Sequence, residues 1–351
     1  MNEFQDACAR IIQPDQAASA AAAAHHDRLT KPRGSLGELE RIGIRLSGIA
    51  GSVPPPLPSP AAVAVFAGDH GVVAQGVTPW PQAVTAQMVA NFVAGGAAIN
   101  VFARQMGASV TVVDVGVATD VDDISGIRHD NIRRGTRDLS IEPALTHDEV
   151  TRALDVGARV AADLVTAGAR ALVTGDMGIG NTTASAAVIA SLTDRSAADV
   201  TGRGTGIDDE MLAHKRAIVS SAVARIADRH DAHAVLAEVG GLEIAALCGF
   251  IVGGAAARVP VVVDGVIAGA ALLAATSMCP AAVDYVFAGH RSTEPGATAV
   301  LAHLALTPML DLELRLGEGS GACLALPVLE ASARIIAEMA TFDSAGVTDK
   351  Q

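Results

Sequence analysis

Ala169-Arg170-Ala171-Leu172-Val173-Thr174-Gly175-Asp176-Met177-Gly178-Ile179-Gly180-Asn181-Thr182-Thr183 runs from a short apolar segment into a glycine turn and then into helix. The apolar part, 169–174, shows no polar alternation, as expected of a strand buried on both faces of a helix-covered parallel sheet. Similar runs of four to eight residues recur at 61–67, 109–115, 259–263 and 283–288, and 310–316, where leucine alternates with charge, is read as a further one. The segments between them, 84–106, 148–166, 183–192 and 209–228, are long enough for helical crossovers. The spacing predicts an α/β fold with a doubly wound parallel sheet of about six strands.

Nearly every run leads into a loop that joins glycine to a polar or charged residue. These loops are Gly68-Asp69-His70-Gly71, Asp114-Val115-Gly116, the Gly175–Thr183 turn, Asp264-Gly265, Gly289-His290-Arg291-Ser292-Thr293-Glu294-Pro295-Gly296 and Gly317-Glu318-Gly319-Ser320-Gly321. Ligands of open α/β sheets sit beyond the carboxyl ends of the strands, so these loops are expected to line one pocket.

The first stretch, to about His26, reads as helix because 18–24 is nearly all alanine. A turn-rich connector, Lys31-Pro32-Arg33-Gly34-Ser35-Leu36-Gly37, precedes a second helical pattern over 38–49. Five prolines in 52–60 then break regular structure. The expected division is a helical part over 1–58, a large domain over 59–321, and a C-terminal helix with its tail over 322–351.

Half of the 351 residues are hydrophobic but only 3% are aromatic, and 35 are glycine, so the interior must be built from thin side chains and closely spaced backbones. A mean hydropathy of +0.38 fits buried helices or a subunit interface. The longest uncharged apolar runs, 244–257 and 265–279, fall short of the roughly 20 residues that span a bilayer. Glu3, Asp6 and Arg10 do not fit a secretion signal, so no membrane partner and a cytoplasmic location are expected. A net charge of −13 argues against nucleic acid. Cys8, Cys248, Cys279 and Cys323 are scattered without a Cys-x-x-Cys pair, and no His-Glu-x-x-His spacing occurs, so no metal site is expected.

Within the decisive stretch, Gly178 and Gly180 let backbone approach a ligand. Asn181 or Thr182 can cap the helix while free amides face an anion, most simply a phosphate. Neither the dinucleotide fingerprint nor the P-loop pattern occurs, which counts against an NAD-dependent dehydrogenase. Gly202-Arg203-Gly204-Thr205-Gly206 is a second flexible loop, and Lys215 beyond it reads either as a cation near a phosphate or as part of a solvated helix face. His290 and Arg291 are candidates for contact with phosphate or carboxylate. Glu318, flanked by Gly317 and Gly319, is either a base made stronger by lost solvation or a helix-start acid that complements the dipole.

Taken together, these loops and the segment Met88-Val89-Ala90-Asn91-Phe92 through Gly95-Gly96-Ala97-Ala98-Ile99-Asn100 resemble the nicotinate-nucleotide:dimethylbenzimidazole phosphoribosyltransferase family, in one order along most of the chain. The resemblance implies a Rossmann-like large domain, a smaller helical domain from both chain ends, and a homodimer. It implies transfer of phosphoribose from nicotinate mononucleotide to 5,6-dimethylbenzimidazole with inversion, giving α-ribazole 5′-phosphate and nicotinate for the cobalamin lower ligand, without a cofactor. The family's catalytic glutamate falls on Glu318 and its supporting lysine on Lys215. Its second acid falls on Asp176, where the family pattern has glutamate, so the reach is shorter by one methylene. Gly178, Gly180, Asn181, Thr182, Gly204, His290 and Arg291 are then expected around ribose and phosphate. Trp80, Pro81, Gln87, Met88 and Met177 are expected around the base. A catalytically silent regulator would bind the mononucleotide yet release no nicotinate.

Overall fold

The computed structural model describes residues 2–348. Six strands form one all-parallel sheet: β1 Ala61–Gly68, β2 Ser109–Gly116, β3 Ile127–His129, β4 Ala171–Met177, β5 Val261–Val263 and β6 Val286–Ala288. Their order across the sheet is β3-β2-β1-β4-β5-β6, the doubly wound Rossmann arrangement. β1 is central and all eight of its residues are buried. Val65 lies opposite Val112 on one side and Gly175 on the other, and the β1–β2 register shifts at Ala67/Gly68. The chain reverses its direction of winding between β1 and β4, so their carboxyl ends diverge and open a crevice there.

Two expectations about strands need correction. Residues 310–316 form no strand; only Leu310 bridges to His290, while Leu312 and Leu316 are exposed. Leucine alternates with charge in this segment, but it lies beyond the sheet and has no neighbour to bury it. The sixth strand is instead Ile127–His129, three residues too polar to signal themselves. β4 starts two residues later than expected and runs through Met177, which puts Asp176 on the sheet itself. The expected helix over 84–106 is two helices, Ala83–Ala94 and Ala98–Met106, separated where Gly95 turns left-handed at φ 79°.

The thin side chains are used for close packing. Leu242–Ala256 packs on β1, and His147–Thr166 lies against that helix, the two meeting at Gly157, Gly249 and Gly253. The first of these helices starts with a capping box, in which Thr146 Oγ1 accepts from Glu149 N and Glu149 Oε2 accepts from Thr146 N.

Gln16–His26, Glu38–Ala50 and Leu326–Glu338 pack together as a cluster that joins the core of the sheet through Ile42, Leu46, Ile49 and Leu329. There Gly43 leaves room for Ile336 and the carbonyl of Ser332. Arg45 ties the cluster to the sheet: Nη2 donates to Val286 O at 2.6 Å, and the guanidinium lies 4.3 Å from the Phe287 ring centre. The helix Glu3–Arg10 is apart from this cluster. It packs on His147–Thr166 and Leu242–Ala256, with Phe4 N donating to Asp155 Oδ1. The short helix Ser320–Leu324 packs mainly against Ala98–Met106 and also against β4 and β5.

Candidate active site

A cleft of about 320 Å³ opens at the carboxyl ends of the strands, on the β4–β5–β6 side of the switch point. Its floor is acidic. Asp176, near the end of β4, is buried and accepts from Asn181 Nδ2 at 3.0 Å. Burial, then the fields of Asp264, Glu243 and Glu318, push its carboxyl well above the usual carboxylate range. A group so placed favours its protonated form and acts as a hydrogen-bond donor rather than a base.

Glu318 stands beside it. Gly317, Glu318 and Gly319 all take positive φ, at 85°, 65° and 89°. For a glutamate this left-handed backbone costs about 1–2 kcal/mol, which the two flanking glycines do not bear. The turn presents the Glu318 carboxylate to the cleft, where Oε2 accepts from Ile99 N at 3.1 Å, in the first turn of Ala98–Met106. A Cβ on Gly317 would stand 3.1 Å from Asp176 Oδ2, so only glycine lets the two acidic segments meet. Burial raises the Glu318 carboxyl most, the Ile99 amide opposes this, and Asp264 adds to the rise. Asp264 is itself held by Ala322 N at 2.9 Å and lies 3.3 Å from His290 Nε2.

The other end of the cleft is built for an anion. Gly180 is the N-cap of the helix Asn181–Thr193, and no side chain caps it. This differs from the expected Asn or Thr cap, because Asn181 turns its amide to Asp176 instead. Asn181 N and Thr183 N donate to the carbonyls of Gly178 and Gly180 at 3.1 and 3.0 Å, which leaves the Thr182 amide, with the partial positive charge of the helix start, open to an anion. Lys215 stands behind Thr182, with Nζ donating to Thr182 Oγ1 at 2.8 Å. It is only 2% exposed, and burial pushes its ammonium down to about 8 while Glu294 pulls the other way. Gly204 closes this end: its N–H donates to Glu294 Oε1 at 2.8 Å and its carbonyl accepts from Arg315 Nη1 at 3.0 Å.

The structure brings most of the sequence candidates to this cleft and moves three away from it. Trp80, Met88 and Met177 form an apolar wall with Val84, while Gly178, Asn181, Thr182, Gly204, His290, Asp176 and Glu318 line the rest. Gly180 sits one step behind, as the cap. Arg291 points outward and pairs with Asp311 at 3.2 Å, because neighbouring residues in an extended segment face opposite ways and His290 points inward. Pro81 and Gln87 are exposed and outside the wall. On the helix Ala83–Ala94 the residues Val84 and Met88 share the inner face, and Gln87 lies about 100° round from Met88. Sequence reasoning missed Arg315 and Leu316 as wall residues, while Glu294 lines the cleft as expected of its loop. Arg315 directly precedes the Leu316-Gly317-Glu318 turn, a proximity that a strand assignment over 310–316 concealed.

The phosphoribosyltransferase family profile matches residues 11–347. A nicotinate-nucleotide–dimethylbenzimidazole phosphoribosyltransferase from Salinispora tropica is 58% identical, with 96% of each chain covered. The chain belongs to this family. Another member, from Chloroflexus aurantiacus, is 51% identical over the full length of both chains. The solved structure of the enzyme of that name from Thermus thermophilus superposes with a TM-score of 0.92 at 46% identity, covering 96% of this chain and 100% of the other. Membership makes the chain a phosphoribosyltransferase, and its parallel sheet is the family's sheet.

Proposed function

We propose that the chain moves the phosphoribosyl group of nicotinate mononucleotide to 5,6-dimethylbenzimidazole with inversion, giving α-ribazole 5′-phosphate and nicotinate for the lower ligand of cobalamin. The observation that carries this reading is Glu318, a carboxylate with raised basicity held over an apolar cleft whose far end is shaped for phosphate. Names borne by the relatives agree with it.

In this reading the phosphate meets the Gly180 and Thr182 amides, which have no hydrogen-bond acceptor of their own among the described residues, and the cation behind Thr182, and the benzimidazole lies against Trp80, Met88 and Met177. One azole nitrogen attacks C1′ of the ribose, and the C1′–N bond to the pyridinium breaks, returning its electron pair to nicotinate. The N–H on the other azole nitrogen passes its proton to Glu318. Asp176, shorter than the family's glutamate, keeps its proton and donates a hydrogen bond toward the ribose. Holding both reactants in one cleft supplies much of the remaining acceleration.

Incubation with both substrates, followed by mass and anomeric NMR of the product, tests the reaction. Release of no nicotinate would leave a nucleotide-binding regulator. For the phosphate end, Lys215→Ala should weaken mononucleotide binding about tenfold or more, as expected for a lost charge-assisted contact, with little change for the base. Equal mononucleotide affinities by calorimetry would remove Lys215 from the site.

We further propose a two-fold homodimer, a small domain formed by the three terminal helices, and a cytoplasmic location. Exposed Trp80, Leu312 and Leu316 near the cleft support an interface. The expected mass in light scattering is about twice 35.4 kDa, and 35.4 kDa at micromolar concentration would overturn the dimer. The cytoplasmic reading rests on the apolar runs over 244–257 and 265–279, which fall on the core helices Leu242–Ala256 and Val266–Met278. The stretches Ala83–Met106 and Ser320–Glu338 are apolar and long enough to cross a membrane, but each is made of two shorter helices.

A further inference from the structure

His70 and Glu243 take no part in the proton transfer described above, yet both side chains are wholly buried and His70 Nε2 lies 2.8 Å from Glu243 Oε1. They come from distant parts of the chain. His70 follows β1, and Glu243 is in the first turn of Leu242–Ala256. Burial opposes charge on the imidazole, but Glu243, and after it Asp69, outweigh this and raise the His70 pKa. The contact is a wholly buried polar pair whose outer atoms, His70 Nδ1 and Glu243 Oε2, have no hydrogen-bond partner among the described residues. Such a pair is expensive to desolvate and is a poor device for stability alone.

Four glycines make room for it. A Cβ on Gly241 would stand 2.5 Å from His70 Cε1 and 2.6 Å from Glu243 Oε2, and one on Gly68 would be 3.1 Å from the same oxygen. On the opposite side of the ring, a Cβ on Gly180 would lie 3.2 Å from His70 Cβ. One on Gly178 would be 3.6 Å from His70 Cδ2 and 2.1 Å from the carbonyl oxygen of Gly68. The imidazole thus forms the floor under the 178–180 turn. Thr85 secures that turn from a second direction, accepting from Ile179 N at 3.1 Å.

We propose that His70 and Glu243 are a positioning pair that fixes the 178–180 turn, and with it the amide-lined end of the cleft, for the nucleotide's 5′-phosphate. This rests on the phosphate reading given under the proposed function. Neither residue touches the substrate. The pair acts on recognition of the nucleotide, while the base is held by the apolar side chains of Trp80, Val84, Met88 and Met177.

Glu243→Gln keeps the shape and an acceptor for Nε2–H but removes the anion. The Michaelis constant for nicotinate mononucleotide should rise roughly tenfold, with that for dimethylbenzimidazole unchanged. If this variant does not fold, His70→Gln combined with Glu243→Gln, which strands no buried charge, takes its place with the same expectation. A lowered melting temperature with both constants unchanged would reduce the pair to a structural contact and overturn the proposal. A parallel rise in both constants would do the same. Lys215→Ala, run alongside, separates the two readings. If it alone weakens mononucleotide binding, the phosphate site stands and the positioning role falls; if it too has no effect, the phosphate reading has failed.

Discussion

Glu318→Gln is expected to lower turnover by roughly 10²-fold or more while both substrates still bind and the fold is kept. Gln can occupy the same left-handed backbone, and its amide oxygen can still accept from Ile99 N, so the contact at 3.1 Å survives. What is lost is the ability to take a proton. The pH dependence follows from the sign of the shift. Burial chiefly, and Asp264 in addition, raise the Glu318 carboxyl above its ordinary value. A base works when deprotonated, so activity should be full above this raised pKa and fall as the pH drops through it. The acidic limb of the wild-type turnover profile should thus lie above the range of a solvated glutamate. The Gln variant should lack that limb. Near-normal turnover of the variant would transfer the role to Asp176 or to a water.

Gly249→Ala should destabilise the protein, although Gly→Ala inside a helix ordinarily stabilises by about 0.5–1 kcal/mol. Here a Cβ would stand 1.9 Å from the carbonyl oxygen of Leu154 and 2.8 Å from its carbon. At Gly157 the corresponding distance to Ala246 O is 1.8 Å. Both obstacles are helix backbone at the centre of the molecule, not the free end of a side chain, so the two helices must move apart. Overpacking of this kind costs about 1–3 kcal/mol or more, which outweighs the propensity gain. At about 2–4 °C per kcal/mol for larger domains, the melting temperature should drop by several degrees. A thermal melt showing Gly249→Ala at or above wild type would refute this account of the interface.

Much of the fold was legible because its strands are buried on both faces and read as unbroken Val and Ala, β1 most clearly. The strand–loop punctuation likewise announced where the site would be. Legibility failed where burial is decided by distant neighbours. The sequence 310–316 alternates as a strand should, yet no strand pairs with it beyond Leu310, whereas Ile127–His129 pairs with β2 without any pattern of its own. Site residues followed the same rule. Glu318 sits in a glycine-marked turn and Asp176 on the strand just before one, so both could be singled out. Arg291 could not be told from His290 until the inward-facing residue of the two was known. Arg315 became visible only when its donation to the Gly204 carbonyl joined segments 111 residues apart.

The helix cluster of Gln16–His26, Glu38–Ala50 and Leu326–Glu338 has a consequence for how the protein is made. Its first two members leave the ribosome early, with apolar faces meant for a third that has not been translated. Roughly 280 residues lie between them, so at about 5–20 residues per second they wait on the order of 15–55 s. During that interval Leu46, Ile42 and the small face at Gly43 have no native cover. The sheet, whose last strand ends at Ala288, can form meanwhile and offers Arg45 its anchor on β6 before the third helix arrives. The three-helix cluster therefore closes after the sheet can form, and until then its apolar faces are open to chaperones and proteases.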